Sequence, residues 1–138
     1  MALITAAVYS DIRAAIDISL DDTVLPDSII ALDLYAGAAE REVLSRDADA
    51  LTRTGADLAR VTTAAVLFAA ARLAPAIPNI TAEESDDVRY TRQAVDWAKR
   101  AADLRALAEI ELQAVLAPSA TTPSRPTMFA RAMGGRGR

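Results

Sequence analysis

Apolar residues recur along this chain at steps of three and four, the spacing of helices that each bury one side. Val8, Ile12, Ala15 and Ile16 mark a first helix over 6–16, with Thr5 placed to cap it. A polar stretch, 17–23, alternates Asp and Ser with Ile18 and Leu20 and reads as a loop. Pro26 suits the first position of a second helix, where its missing N–H would be unpaired in any case. In that helix, over 26–46, Ile29, Leu32, Ala36, Ala39 and Val43 form one face, and Glu42 and Arg46 are spaced as an outer i,i+4 pair. A third helix spans 50–74, with Leu58, Val61, Ala65, Phe68 and Arg72 on one stripe and Val66, Ala69 and Leu73 widening it. Gly55 is its weak point, and Pro75 and Pro78 are expected to end it in a rigid connector.

The fourth helix is the longest, over 82–116. Thr81-Ala82-Glu83-Glu84 is a capping box at its start, and Pro118 stops it. Tyr90, Ala94, Trp97, Ala101, Leu104, Ala108, Glu111 and Val115 form a stripe. A second apolar line of Val95, Ala98, Ala102, Leu107 and Ile110 lies beside it. Some 35 residues of helix measure about 50 Å, whereas a globule of this size is about 30 Å across. The helix must therefore kink or project. The pattern as a whole predicts an all-α fold: a small bundle of about four helices with a long C-terminal helix, over 1–117, and an extended basic arm over 118–138.

Charge divides the chain at the same place. The 21 residues from 118 onward hold Arg125, Arg131, Arg136 and Arg138 and no acid. Of 15 basic and 19 acidic residues, 11 and 19 remain before them, so the body carries −8 and the arm +4. Met128, Phe129 and Met133 add apolar anchors that a plain linker or a phosphate-binding tail does not need. Basic residues and apolar anchors together favour insertion into an acidic groove on a partner, by folding on binding.

Catalytic chemistry finds little footing. Neither cysteine nor histidine occurs, which removes thiol chemistry, the usual general base and the commonest metal ligand. No P-loop, Gly-x-Ser-x-Gly elbow or Gly-x-Gly-x-x-Gly is present. Asp17, Ser19 and Asp21 have the opening spacing of a calcium loop, but Asp22 and Ser28 stand where its Gly and Glu belong. Glu83, Glu84, Asp86 and Asp87 read as first-turn acids that complement a helix dipole. No catalytic, cofactor-binding or metal-binding residue is assigned. Phe68, Tyr90, Trp97 and Leu104 are candidates for core or intersubunit packing. The most apolar run, Val61 to Ala71, is flanked by Arg60 and Arg72 and is too short to span a bilayer. The N-terminus has no charged n-region followed by a long apolar run. Together these lead to the expectation of a soluble protein made in a cytoplasm.

Four segments carry a resemblance: SDIRAAI, LPDSIIALDLYAGAAEREVL, ADLARVTTAAVLFAAARLAP and DDVRYTRQAVDWAKRAADLRALAEIELQAVL. Their order, their lengths and the acidic loop before the second resemble the head–tail connector proteins of tailed bacteriophages, over about residues 3–116. The resemblance implies a structural protein of the virion neck with no catalytic residues and no cofactor. Such proteins form a dodecameric ring under the portal protein, extend the DNA channel without sequence-specific binding, and offer a surface to the next neck or tail component. Their C-terminal segment often reaches the portal, which makes Arg125, Met128, Phe129, Arg131, Met133, Arg136 and Arg138 a candidate portal-docking arm. Two other readings stand beside it: a small helical regulator whose basic tail touches nucleic acid, and a helical subunit of a cellular complex.

Overall fold

The computed structural model describes residues 2–80 and 95–117. Among them every regular element is helical, as the 3.6-residue period requires, and they form one small bundle. A 3₁₀ turn, Ala6–Val8, leads into α1 (Tyr9–Ile16). Thr5 occupies the N-cap position, but its side chain makes no capping bond. Next come α2 (Asp27–Ile30), a π-helical turn (Asp33–Gly37) and α3 (Ala38–Arg46). A 3₁₀ turn (Ala50–Thr52) precedes α4 (Gly55–Leu73), which is followed by a 3₁₀ turn (Ala74–Ala76) and α5 (Ile77–Ile80). The last described helix is α6 (Trp97–Leu116).

The centre of the bundle is α4. Val61, Ala65, Phe68, Ala69 and Leu73 are buried there, and α1, α3 and α6 all pack on it. Its alanines let these neighbours approach closely, so the core is built largely without aromatic rings. The helical stretch Gly55–Ile80 is long and apolar enough to cross a membrane by length and composition alone, and 61% of its most apolar window is buried inside the bundle. That burial matches the core role expected of this run.

Four boundaries differ from the expected ones, each for a local reason. The second helix is not continuous over 26–46. Leu32 leaves helical geometry at φ −59°, ψ 141°, so α2 is a single turn and the chain restarts through the π turn. The break turns Leu32 outward to 49% exposure while Ile30, Ala36, Ala39 and Val43 all reach the core. Gly55, with φ +62°, separates the turn at 50–52 from α4, a left-handed conformation that glycine adopts without steric cost. The prolines do not end the helical path. Pro75 falls in the first turn of the 3₁₀ segment, where no N–H is needed, and the chain stays helical to Ile80.

The fourth helix also begins afresh. Asp96 is extended at φ −81°, ψ 90°, and its carboxylate accepts the Lys99 N–H, so α6 starts at Trp97 instead of running unbroken from 82. An aspartate in this position satisfies one of the orphan donors of a helix start. α6 is then about 30 Å long, which fits the bundle. The capping box at 81–84, the acids at 83–87, Tyr90 and the whole arm from 118 lie outside the described residues.

Candidate interaction surface

α4 and α6 run antiparallel. Arg60, early in α4, meets Glu111, late in α6, at 3.4 Å, whereas Phe68 further along α4 meets Arg105 earlier in α6. The contact is made by Trp97, Leu104, Ala108 and Leu112, all buried, so Phe68, Trp97 and Leu104 pack where their stripes place them. Two half-exposed residues of the same stripe take different roles: Val115 packs against the core edge, and Glu111 turns to Arg60.

Charged residues tie α3 to both long helices. Glu42 Oε1 accepts from Arg72 at 3.1 Å and its Oε2 from Arg105 at 2.6 Å. Arg46 donates to both oxygens of Glu109, at 2.7 and 2.6 Å. Glu42 and Arg46 therefore do not pair with each other as their spacing predicts. Both sit on the edge of α3 that faces α4 and α6, so carboxylate and guanidinium groups on those helices compete successfully for them. The twofold hydrogen bond holds the Glu109 carboxyl below its usual range and raises the Arg46 guanidinium.

The loop after α1 is gripped from both sides. Arg13, 8% exposed, donates its Nε to the Leu25 carbonyl at 2.7 Å and pairs with Asp27. Arg100 donates to the Ile16 carbonyl, an orphan acceptor at the end of α1. Within the loop, Asp17 Oδ1 accepts from the N–H and hydroxyl of Ser19, and Asp21 Oδ1 accepts from Thr23 N–H, Thr23 hydroxyl and Val24 N–H. These bonds, the Thr23 hydroxyl foremost, lower the Asp21 carboxyl. The one-three-five pattern thus forms two side-chain-to-backbone turns. No group of three or more potential metal ligands is brought together among the described residues.

The remaining surface is defined by what is left uncovered. Among the described residues the exposed large apolar side chains are Ile18 at 89%, Leu32 at 49%, Leu34 at 65%, Leu107 at 51% and Ile110 at 62%. Leu107 and Ile110 belong to the expected second apolar line of the last helix, but that line is not a single face. The five-residue step from Ala102 to Leu107 rotates it by about 140° beyond a full turn. Ala98 and Ala102 therefore flank the side toward α3, and Leu107 and Ile110 point the other way. Ala56, Ala59, Arg60, Thr63 and Glu111 line a shallow open groove of about 330 Å³ between α4 and α6, spanned by the Arg60–Glu111 pair.

Compared with models of known families, with curated proteins and with solved structures, this chain matches none.

The candidate docking residues Arg125, Met128, Phe129, Arg131, Met133, Arg136 and Arg138 lie outside the described residues, as does Tyr90. What sequence reasoning overlooked is the exposed pair Leu32 and Leu34. Its spacing puts Leu32 on the core stripe, and the faint signal of the break that turns it outward is Gly37 four residues after Asp33, where a Cβ would meet the Asp33 carboxylate.

Proposed function

We propose that this chain is a structural head–tail connector of a tailed bacteriophage, assembling as a ring beneath the portal protein and presenting its other side to the next neck component. The observation that carries the reading is α6, which is apolar on two sides. One side is spent on α4, and the other stands in solvent at Leu107 and Ile110. A subunit that must touch neighbours on both flanks needs such a second face. The acidic body, at −8, suits a channel wall past which DNA slides without adhering. The arm's four arginines and its Met128, Phe129 and Met133 suit docking on the portal. No cofactor and no catalysis enter this reading, and the site of action is the virion neck.

The experiment is co-sedimentation of the purified chain with tailless, portal-bearing heads, alongside a variant lacking residues 119–138. The full chain is expected to sediment with heads. The truncated one is expected to retain its helical circular dichroism and lose attachment. Equal attachment of both chains would remove the docking role of the arm. Absence of attachment by the full chain, together with salt-dependent binding to duplex DNA, would favour the regulator instead.

A further inference from the structure

The path through α2, the π turn and α3 holds two helical registers in one sequence. α3 and the end of the π turn bury Ala36, Ala39 and Val43. Carried backward from Ala36 at about 100° per residue, an unbroken helix puts Leu32 and Ile29 within about 40° of that line and Ile30 about 120° from it. The structure does the reverse. Ile30 is fully buried, Ile29 is only partly buried and Leu32 is 49% exposed. Ile30 stands six residues before Ala36, where the helical repeat asks for seven. The break at Leu32 and the π turn together shift the register by one residue.

Both registers are apolar. One uses Ile30 and the other uses Ile29 and Leu32, and exchanging aliphatic side chains of similar volume is among the mildest changes a core can undergo. Backbone bonding favours the unbroken path. With Leu32 extended, the amides of Asp33 and Leu34 have no backbone acceptor among the described residues, whereas a continuous helix bonds them to the Ile29 and Ile30 carbonyls. Two polar contacts favour the broken path. Arg13 fixes the start of α2 through the Leu25 carbonyl and Asp27. Asp33 meets Arg41 at 2.8 Å across the π turn. On a straight helix those two residues stand about 12 Å apart along the axis, beyond the usual i,i+4 neighbours.

We infer that residues 27–37 form a two-register switch. The broken path, with Ile30 in the core and Leu32 outside, exchanges with a continuous helix over 27–46 in which Ile29 and Leu32 enter the core and Ile30 leaves it. The register of α3 is the same in both. The switch sets whether this corner shows Leu32 to solvent, and anything that parts Asp33 from Arg41 moves the balance toward the continuous form. It is a property of this chain by itself and stands apart from the connector reading.

The test is saturation-transfer NMR on the isotope-labelled full chain, which detects millisecond exchange with a sparsely populated state. The expected result is a minor state of about 0.1–10%, confined to residues 27–37, in which the Leu32 Cα shift takes its helical value. Asp33→Ala, at a side chain 78% exposed, is expected to raise that population roughly twofold to fivefold, the effect of losing a surface ion pair. Leu32→Ser removes the apolar residue that only the continuous register buries, and it is expected to abolish the minor state. Both positions are exposed, so both variants keep the fold, and circular dichroism verifies this. Absence of a minor state in the parent and in Asp33→Ala alike would overturn the inference. So would a minor state in which Leu32 is not helical, which is fraying of α2, or one that survives Leu32→Ser. The expected exchange in a chain that fails to attach to heads would support the switch and reject the connector reading.

Discussion

The guanidinium carbon of Arg105 lies 5.2 Å from the centre of the Phe68 ring, and the same side chain donates to Glu42 at 2.6 Å. One residue of α6 thus caps the core ring of α4 and bonds to α3. Arg105 is 43% exposed, so its cation–π contact belongs at the weaker end, about 0.5–1 kcal/mol. Arg105→Ala is expected to lower stability by about 1 kcal/mol in urea titrations, because Glu42 retains Arg72. In a cycle with Phe68→Leu, the two losses should be coupled by about 0.5–1 kcal/mol. Strict additivity would show that the ring and the cation do not interact.

Trp97 is 7% exposed at the first position of α6. Replacement by alanine removes the largest apolar side chain of that turn, and a loss of about 3–5 kcal/mol is expected. It is the chain's sole tryptophan, so stability is followed by far-ultraviolet circular dichroism. A variant as stable as the parent would show that the start of α6 contributes nothing to the core.

Acid sensitivity follows from the ion pairs. The Asp47 side chain, 3% exposed, accepts from Arg53 Nε at 2.7 Å and Nη2 at 3.0 Å, and Arg53 holds its carboxyl below the ordinary value of 3.8. Arg46 does the same for Glu109, and Arg41 for Asp33. A carboxyl lowered by folding binds protons more readily in the unfolded chain. Its contribution is complete above the unfolded pKa and is lost as pH falls through the folded one. With no histidine in the chain, stability should be level between about pH 6 and 8 and decline as pH falls through the carboxylate range. Asp47→Asn should cost about 1–3 kcal/mol at neutral pH and flatten the acid decline. An acid limb identical to that of the parent would exclude Asp47 as a contributor.

Gly37 has ordinary helical angles, φ −63° and ψ −44°, so its conformation is open to any residue. Its lack of a side chain matters because an added Cβ would come within 2.1 Å of Asp33 Oδ1, displacing the carboxylate that bonds Arg41. Gly37→Ala is therefore expected to be neutral or destabilising in the parent chain. In an Asp33→Ala background the same change should stabilise by about 0.5–1 kcal/mol, the usual gain from removing a glycine from a helix. The check is a pair of thermal melts, and the same sign in both backgrounds would refute the steric account.

Periodicity and residue chemistry alone determined the helical class, the central role of the alanine-rich run at 61–73, the weak point at Gly55 and the burial of Phe68, Trp97 and Leu104. These depend on neighbours within a turn or two, and a 3.6-residue repeat leaves one face for a core. Where Glu42 and Arg46 find their partners was decided only in three dimensions, since Arg72, Arg105 and Glu109 are distant in sequence and become available only when α3 settles against α4 and α6. Leu32 shows the same limit: its spacing fits the buried stripe, but the chain bends there so that Ile30 and Ala36 can both reach the core. The two outward faces at Leu34 and Leu107 follow from that packing, because an apolar residue is exposed or buried according to which side of its helix the rest of the molecule occupies.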